Sequence, residues 1–300
     1  MNYAQLLFPD FSLIVCGYLI CRFTALNRTV WQQVDSLVYY FLFPVLLFHS
    51  VVRSPLDLAA ASNLIAAAAG LVALGVATSY CVAYLPMVQK NDFASTAQIA
   101  FRFNSFIALA VTERLLGKDG LLLMAVVIGV CVPLCNMGSV WPMARSSGAG
   151  FGKQLVRNPL IIATAGGLLA NVLGFSVPHW AEPGVTRIGQ ASLALGLLAA
   201  GAGLQLSGVF NTASRRATGG AMLAIRHLAM PLFAFGLIRI FNLNATQATV
   251  LLAYSALPTA SSSYVLATKM GFDGSFPAGL VTLSTALGML SLPFALQFLR

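Results

Sequence analysis

Apolar runs long enough to cross a bilayer follow one another along almost the whole chain, and most charged residues lie in the short segments between them. Only 8% of the 300 residues are charged, against roughly 25% in an average soluble domain. So few charges cannot cover a water-exposed surface, whereas a spanning helix needs only about 20 apolar residues. The sequence therefore predicts an all-α, polytopic membrane protein that folds as one integral domain in the lipid bilayer.

Hydropathy predicts about ten spans. A Ser- and Gly-rich cytoplasmic linker, 144–157, separates a first half, 1–143, from a second half, 158–300. Each half holds an odd number of spans, so the second half enters the membrane from the opposite side, and related halves would form an inverted repeat. The predicted spans are 6–23, 34–52, 62–85, 94–115, 121–143, 159–177, 185–206, 217–241, 245–270 and 275–299.

Lys and Arg residues are distributed unequally over alternate loops, which is the pattern that orients inner-membrane proteins. With the N-terminus outside, the larger set falls on the inner loops, so both termini are predicted to be periplasmic. The inner set is Arg22, Arg28, Lys90, Arg145, Lys153, Arg157, Arg215, Arg216 and Lys269. The outer set is Arg53, Arg114, Lys118, Arg187, Arg239 and Arg300.

The net charge of +9 comes from basic residues scattered singly or in pairs between apolar runs. Because they form no basic face, we predict no nucleic-acid partner. The five cysteines lie in or at the ends of apolar runs, and their spacing is not the one that zinc sites favour. We therefore expect packing roles for the cysteines, no metal site and no cofactor.

The fourth and ninth predicted spans occupy matching positions in the two halves, and both contain polar stretches, 98–105 and 255–263. Pro258 lies in the second stretch, where a proline removes a backbone donor and clashes with the preceding turn. Irregular backbone at membrane depth persists only where it is packed in protein or faces a wet cavity. The pattern predicts that both helices are broken and that a binding site lies between them.

Five segments that follow one another along the chain have a familiar pattern. They are FLFPVLLF at 41–48, FRFNS at 101–105, RNPLII at 157–162, GQASLALGLLAAG at 189–201 and ALPTASSSYVLA at 256–267. In these segments the sequence resembles the auxin efflux carrier family, which includes plant auxin carriers and bacterial malonate-type carriers.

The resemblance implies ten helices in two inverted five-helix repeats, with the fourth and ninth helices crossing as broken helices. It also implies an elevator-like motion of a transport domain against a scaffold. In the plant carriers an asparagine on the fourth helix meets the substrate carboxylate, and the matching residue is Asn104. Gln190 stands at the position of a second asparagine that lines the site, on the seventh helix. Pro258 matches the family proline of the ninth helix, whereas Val111 replaces that of the fourth.

We place substrate binding at the two polar stretches and on the seventh span, with alternative structural interpretations for two residues. Asn104 could instead bond a neighbouring helix. Arg102 offers a planar fork suited to a carboxylate, or it could be a structural arginine bonded to backbone carbonyls. Facing the site, it would favour dicarboxylates. The candidate substrate-binding residues are Asn104, Arg102, Ser105, Gln190, Pro258, Thr259 and Ser261.

Other ionisable residues at or near span depth are candidates for coupling or for structure. Asp10 and His49 are possible proton acceptors or gates, although a lone histidine in a span is more often packed and hydrogen-bonded. Arg226 and His227 are predicted to lie within the eighth span, where a structural role is at least as plausible. The Gly-Ala-Gly sequence at 201–203 indicates close helix packing rather than a phosphate loop.

The function that these features favour is secondary transport of small organic anions, such as malonate-like or auxin-like mono- or dicarboxylates, across the inner membrane by an elevator mechanism. The alternative is a sodium-coupled symporter of the bile-acid type, although sodium prefers carboxylate and carbonyl ligands and the spans hold few acids. A membrane receptor would need an output domain, and no intramembrane-enzyme motif occurs. The scaffold helices could form a homodimer.

Overall fold

The computed structural model describes residues 3–53, 58–147, 159–204, 209, 211–260 and 262–297. All regular elements within these ranges are helices, and none of these residues belongs to a β-strand. The prediction of an all-α protein is confirmed for this part of the chain. Most of the predicted linker, together with Ser261, lies outside the described residues.

The described residues of the first half form six helices, and three short turns of other helical types join two of these helices and extend two others. A π-helical turn, Val38–Leu42, joins α2 to α3, and 3-10 turns extend α4 by Val82–Tyr84 and α5 by Ala97–Ala100. The helices are α1 (Tyr3–Phe23), α2 (Arg28–Leu37), α3 (Phe43–Val52), α4 (Leu58–Cys81), α5 (Lys90–Thr96) and α6 (Ser105–Ser147).

The described residues of the second half form seven helices, again with one π-helical turn, Ile225–Ala229, between two of them. These helices are α7 (Pro159–Val172), α8 (Glu182–Ala202), α9 (Ala213–Ala224), α10 (Met230–Ile240), α11 (Ala245–Ala256), α12 (Ser263–Lys269) and α13 (Ser275–Gln297).

Five helical segments in the described part of the chain are long and apolar enough to cross a membrane. They establish a polytopic helical membrane protein, as the apolar runs predict. The segments are Ala61–Tyr84, Lys90–Met143, Glu182–Ala202, Ala213–Ile240 and Ser275–Gln297, and Ser12–Phe23 is a shorter apolar helix.

The segment from Lys90 to Met143 changes direction at Gly117, which interrupts the helical geometry of α6. Gly117 has φ 65° and ψ −146°, a conformation that side chains other than glycine rarely adopt. The kink falls between the predicted fourth and fifth spans, 94–115 and 121–143. One glycine therefore makes the turn that hydropathy predicts as a short loop.

The helices pack in two groups. In the first, α1, α2 and α3 pack against α7 and α8; in the second, α4 and α11 each pack against α6 and α10, with α13 against α11. A very close helix contact lies in the first group, where a Cβ on Gly17 would overlap the Leu198 carbonyl and one on Gly201 would overlap that of Ile14. Close packing is therefore the role of Gly201. The two groups meet where α6 contacts α1, α3, α7 and α8, and where α13 contacts α1.

Both predicted helix interruptions are present. Residues 101–104 separate the 3-10 turn after α5 from α6, and residues 257–260 follow the end of α11 before α12 begins at Ser263. The two irregular stretches touch, because the backbone N–H of Asn104 donates to the carbonyl of Pro258 at 2.9 Å. The first interruption forms although Val111 stands where the plant motif has a proline.

Candidate functional site

A cavity of about 80 Å³ opens where the two interruptions meet. Since a water molecule needs roughly 10–15 Å³ measured this way, the cavity has room for several waters or one small solute. Arg102, Asn104 and Ser105 line it from the first interruption, and Ala260 and Ser262 from the second. The remaining wall combines α2, the π-helical turn after it and α3 of the first helix group with α6 of the second, so the cavity lies between the groups.

Asn104 has two separate roles in this arrangement. Its Oδ1 accepts the backbone N–H groups of Phe106 at 3.0 Å and Ile107 at 3.2 Å, which caps the N-terminus of α6. The side-chain amide Nδ2 has no hydrogen-bond partner among the described residues, and the residue lines the cavity. The Asn104 side-chain oxygen therefore has a structural role as a helix cap, and the NH₂ group remains available to donate to a ligand.

Arg102 lies beside Asn104 with its guanidinium held by neutral oxygens. Nη1 donates to Oε1 of Gln98 at 2.9 Å, and Nη2 donates to Oγ of Ser262 at 3.1 Å. Gln98 is itself fixed, since its Nε2 donates to the carbonyls of Ser95 and Ser263. Within the described chain no carboxylate forms an ion pair with Arg102, so its positive charge remains in the cavity and can attract an anion.

The irregular backbone explains how Arg102 and Asn104 line one cavity. Two residues apart on a regular helix, their side chains would point in well-separated directions. Residues 101–104 are not helical, and the first helical residue, Ser105, also lines the cavity. The N-terminus of α6 thus lies at the cavity wall, where the helix dipole favours negative charge.

The second interruption supplies fixed backbone more than ligand-facing side chains. Pro258 offers its carbonyl to Asn104, and the backbone N–H of Thr259 donates to Oγ of Ser284 at 2.9 Å. The Thr259 side chain is fully buried, and its hydroxyl has no partner in the described part of the protein. Ser284 also bonds Nε2 of His227 at 2.9 Å, which gives His227 a structural role in supporting this stretch.

Arg226 terminates α11 just before the second interruption. Its Nη2 donates to the carbonyls of Tyr254 at 2.8 Å and Ser255 at 2.9 Å, and its Nε donates to that of Leu257 at 2.7 Å. These are carbonyls that the end of a helix leaves without intrahelical partners. A fully buried cation at the negative end of the helix dipole therefore supports the break.

Two other predicted residues, Gln190 and His49, do not line the cavity. Gln190 is exposed on α8, in a separate open cleft with Glu182 and Arg187. His49 is buried in α3, and its Nε2 has no partner among the described residues. Asp10 lies in α1, and its side chain is outside the described set. The roles of these three residues stay predictions.

Sequence reasoning missed Asp35, Tyr39 and Asn136, which also line the cavity. Asp35 and Tyr39 are one helical turn apart on α2 and the π-helical turn that follows it. The signal for Asp35 is present in the sequence, since it is an acidic residue near the start of the predicted span 34–52. Charge at span depth usually indicates function.

A polytopic helical membrane protein with a charged cavity between two interrupted helices belongs structurally to the class of membrane transporters. A family model described as "Membrane transport protein" matches residues 139–296, more than half of the chain. The chain belongs to this family, the auxin efflux carrier family, and is a transporter rather than an enzyme. It is 21% identical to a protein of Rhizobium meliloti (strain 1021) named "Putative malonate transporter", over 98% of this chain and 95% of that one.

Proposed function

We propose that the protein is a secondary transporter of small organic anions and that the cavity at the crossed interruptions is its substrate site. The observation that carries the proposal is that the Arg102 guanidinium and the Nδ2 amide of Asn104 line the same cavity. A carboxylate placed there would accept charge-assisted hydrogen bonds from both groups. The relative named as a malonate transporter supports the same class of substrate.

The proposed architecture is ten spans arranged as two inverted repeats, 1–143 and 158–300, in the inner membrane, with both termini periplasmic. It is supported by the positions of the two interruptions, which fall in the fourth predicted span of each half. The Pro258–Asn104 hydrogen bond brings these stretches together, as a crossover between repeats requires.

The proposed mechanism is an elevator in which the second helix group moves against the first. It is supported by the packing, because α1–α3, α7 and α8 form one group, and both interrupted helices belong to the other. The substrate cavity has walls from both groups, so their relative movement would open it to one side of the membrane or the other. A homodimer through the first group remains part of the proposal.

The experiment that tests the function is binding by the purified protein to a panel of acids, namely acetate, malonate, succinate and indole-3-acetate, with the amide of each as a neutral control. At least one acid should bind, and its amide should bind far more weakly because it lacks the charge that Arg102 attracts. An amide that binds as well as its acid would overturn the anion site. Uptake that requires sodium would favour the bile-acid-type symporter instead.

A further inference from the structure

A small cavity of about 20 Å³ adjoins the substrate cavity, because Asp35 of α2 lines both of them. It has room for about one water molecule. Gln32, which also lines the small cavity, is exposed, so this cavity reaches the protein surface near the beginning of α2. On this side, a narrow passage therefore separates the substrate cavity from the surface.

One face of a continuous helix follows this passage from the surface to the substrate cavity. The face carries Arg28, Gln32, Asp35, Tyr39 and Phe43. Their spacing of three or four positions along α2, the π-helical turn and α3 places them on one side of the helix. The first three line the small cavity, and the last three line the substrate cavity. All but the last are polar, and polar residues within a membrane protein often mark the path of a polar solute.

The small cavity is closed by a contact between the two helix groups. Among its described lining residues, Tyr264 is the one from the second group, on α12, which packs against α13; the others belong to α2 and to the end of α8. Cζ of Arg28 lies 5.7 Å from the centroid of the Tyr264 ring, and Nη2 of Arg28 donates to the Gly203 carbonyl at 3.1 Å. A cation–π contact therefore joins α12 to the first group at this point.

The opposite end of the substrate cavity is blocked by a larger apolar contact. Phe43 of α3 and Phe106 of α6 line this end, with their ring centroids 4.8 Å apart, and both side chains are buried. The Phe106 ring also packs against α8 at Gly196, where a Cβ would overlap it. Two buried rings thus close one end, whereas the half-buried ring of Tyr264 closes the other.

We infer that Tyr264 is a gate between the substrate cavity and the side of the membrane at which α1 joins α2. The inference rests on the proposed function and adds the route of the substrate, which passes along the polar face of α2 when the Tyr264 ring leaves Arg28. In the predicted orientation that side is the cytoplasm. Ser262, just before α12, lines the substrate cavity, so a shift of α12 would move the gate and the cavity wall together.

The first test measures access to the substrate cavity in a cysteine-free variant that carries Ser105→Cys, which places a thiol on the cavity wall. Right-side-out and inverted membrane vesicles are treated with a small, membrane-impermeant methanethiosulfonate anion. Ala25→Cys, in the exposed turn before α2, shows in parallel which preparation presents the side at which α1 joins α2. Tyr264→Ala should raise the rate of modification at position 105 severalfold from that side and leave the rate from the other side unchanged.

Two variants serve as controls for this measurement. Tyr264→Phe keeps the aromatic ring, so the thiol should react at close to the rate of the parent variant. Tyr18→Ala removes an exposed tyrosine of α1 that lines neither cavity, and it should change neither rate. An unchanged rate in Tyr264→Ala, or an equal increase from both sides, would overturn the gate. If Tyr264→Ala does not fold, Arg28→Gln, which removes the cation over the ring, decides by the same rates.

The second test separates the gate from the substrate site by measuring binding and uptake of the same acid. Tyr264 does not line the substrate cavity, so Tyr264→Ala should keep the wild-type affinity. Its maximal uptake rate should fall severalfold, because a cavity that stays open to one side cannot complete the transport cycle. A loss of affinity, or an unchanged maximal rate, would overturn the assignment. If the wild type binds no acid, the proposed function fails, while the modification rates still decide the gate.

Discussion

At the scale of single residues, the site separates atoms that hold the fold from atoms that face the ligand. The Asn104 oxygen caps α6 while its amide faces the cavity. The hydrogen bonds of Arg102 reach only side-chain oxygens, so they position its charge and do not hold the backbone. Substitutions at these two residues should therefore have different consequences for folding and for binding.

Replacement of Asn104 by serine or aspartate should weaken anion binding while the cap on α6 is retained. Both residues are good N-caps, but serine lacks the NH₂ group and aspartate would repel a carboxylate. A hydrogen bond to a charged group contributes about 1.5–3 kcal/mol, so affinity should fall roughly tenfold or more, and furthest for aspartate. Calorimetric titration measures the affinity, and a thermal melt checks folding. Wild-type affinity in Asn104→Asp would make Asn104 purely structural.

Arg102→Gln should abolish most anion binding because it removes the cation of the substrate cavity. The matched control is Ser262→Ala, which deletes one hydrogen-bond partner of Arg102 and leaves its charge. We expect the control to lose severalfold less affinity than Arg102→Gln, measured with the same acid at the same ionic strength. Equal losses in both variants would mean that the position of Arg102, rather than its charge, governs binding.

At the scale of elements, the sequence predicts the interruptions but not what stabilises them. Pro258 predicts the second interruption, and the polar residues at 98–105 predict the first even without a proline. Arg226, which binds the carbonyls at the end of α11, lies 28 positions away in sequence from Tyr254. No local pattern could reveal that contact, since it depends on how α9 and α10 pack. For the same reason, Asp35 could not be placed in the cavity before the helices were assembled.

Arg226→Met should destabilise the protein without removing any group that lines the substrate cavity. It would leave the carbonyls of Tyr254, Ser255 and Leu257 without their guanidinium donor in a fully buried place. Each buried acceptor left unsatisfied costs roughly 1–3 kcal/mol, so a lower melting temperature is expected. Arg226→Lys should rescue only part of the loss, because one ammonium cannot reproduce the fork. An unchanged melting temperature in Arg226→Met would contradict this account of the helix end.

The α1–α8 contact provides a second test at this scale. A Cβ at Gly201 would overlap the backbone of α1 at Ile14, whereas one at Gly220 on α9 would meet nothing within 4 Å. Gly201→Ala should therefore lower stability by about 1–3 kcal/mol, the usual cost of overpacking. Gly220→Ala should be neutral or slightly stabilising, since alanine favours helix. Denaturation of both variants in the same detergent compares them, and equal stability would show that α1 and α8 can move apart freely.

At the scale of the whole molecule, the apolar runs alone predict a helical membrane protein, and the residue patterns add the family. The two helix groups could not be predicted, because they depend on which faces of similar apolar helices meet. Alanine, glycine and leucine line the helix contacts in both groups. The orientation in the membrane rests on loop charges alone and stays a prediction.

That orientation can be tested with a cysteine-free variant carrying Ser147→Cys, at the end of α6. If both termini are periplasmic, the new thiol faces the cytoplasm and should react with a membrane-impermeant maleimide only after the cells are lysed. A thiol introduced as Arg53→Cys, on the predicted outer side, should react in intact cells. The reverse labelling pattern would invert the predicted topology.

The two interruptions are joined through main-chain atoms, the N–H of Asn104 and the carbonyl of Pro258. Such a bond is available to every amino acid except proline at the donor position. This backbone contact can therefore persist while the side chains around it are exchanged, so that substrate specificity could change without loss of the crossover. A library that keeps this backbone contact and varies positions 35, 102 and 104 could be screened for variants that transport acids which the natural protein does not.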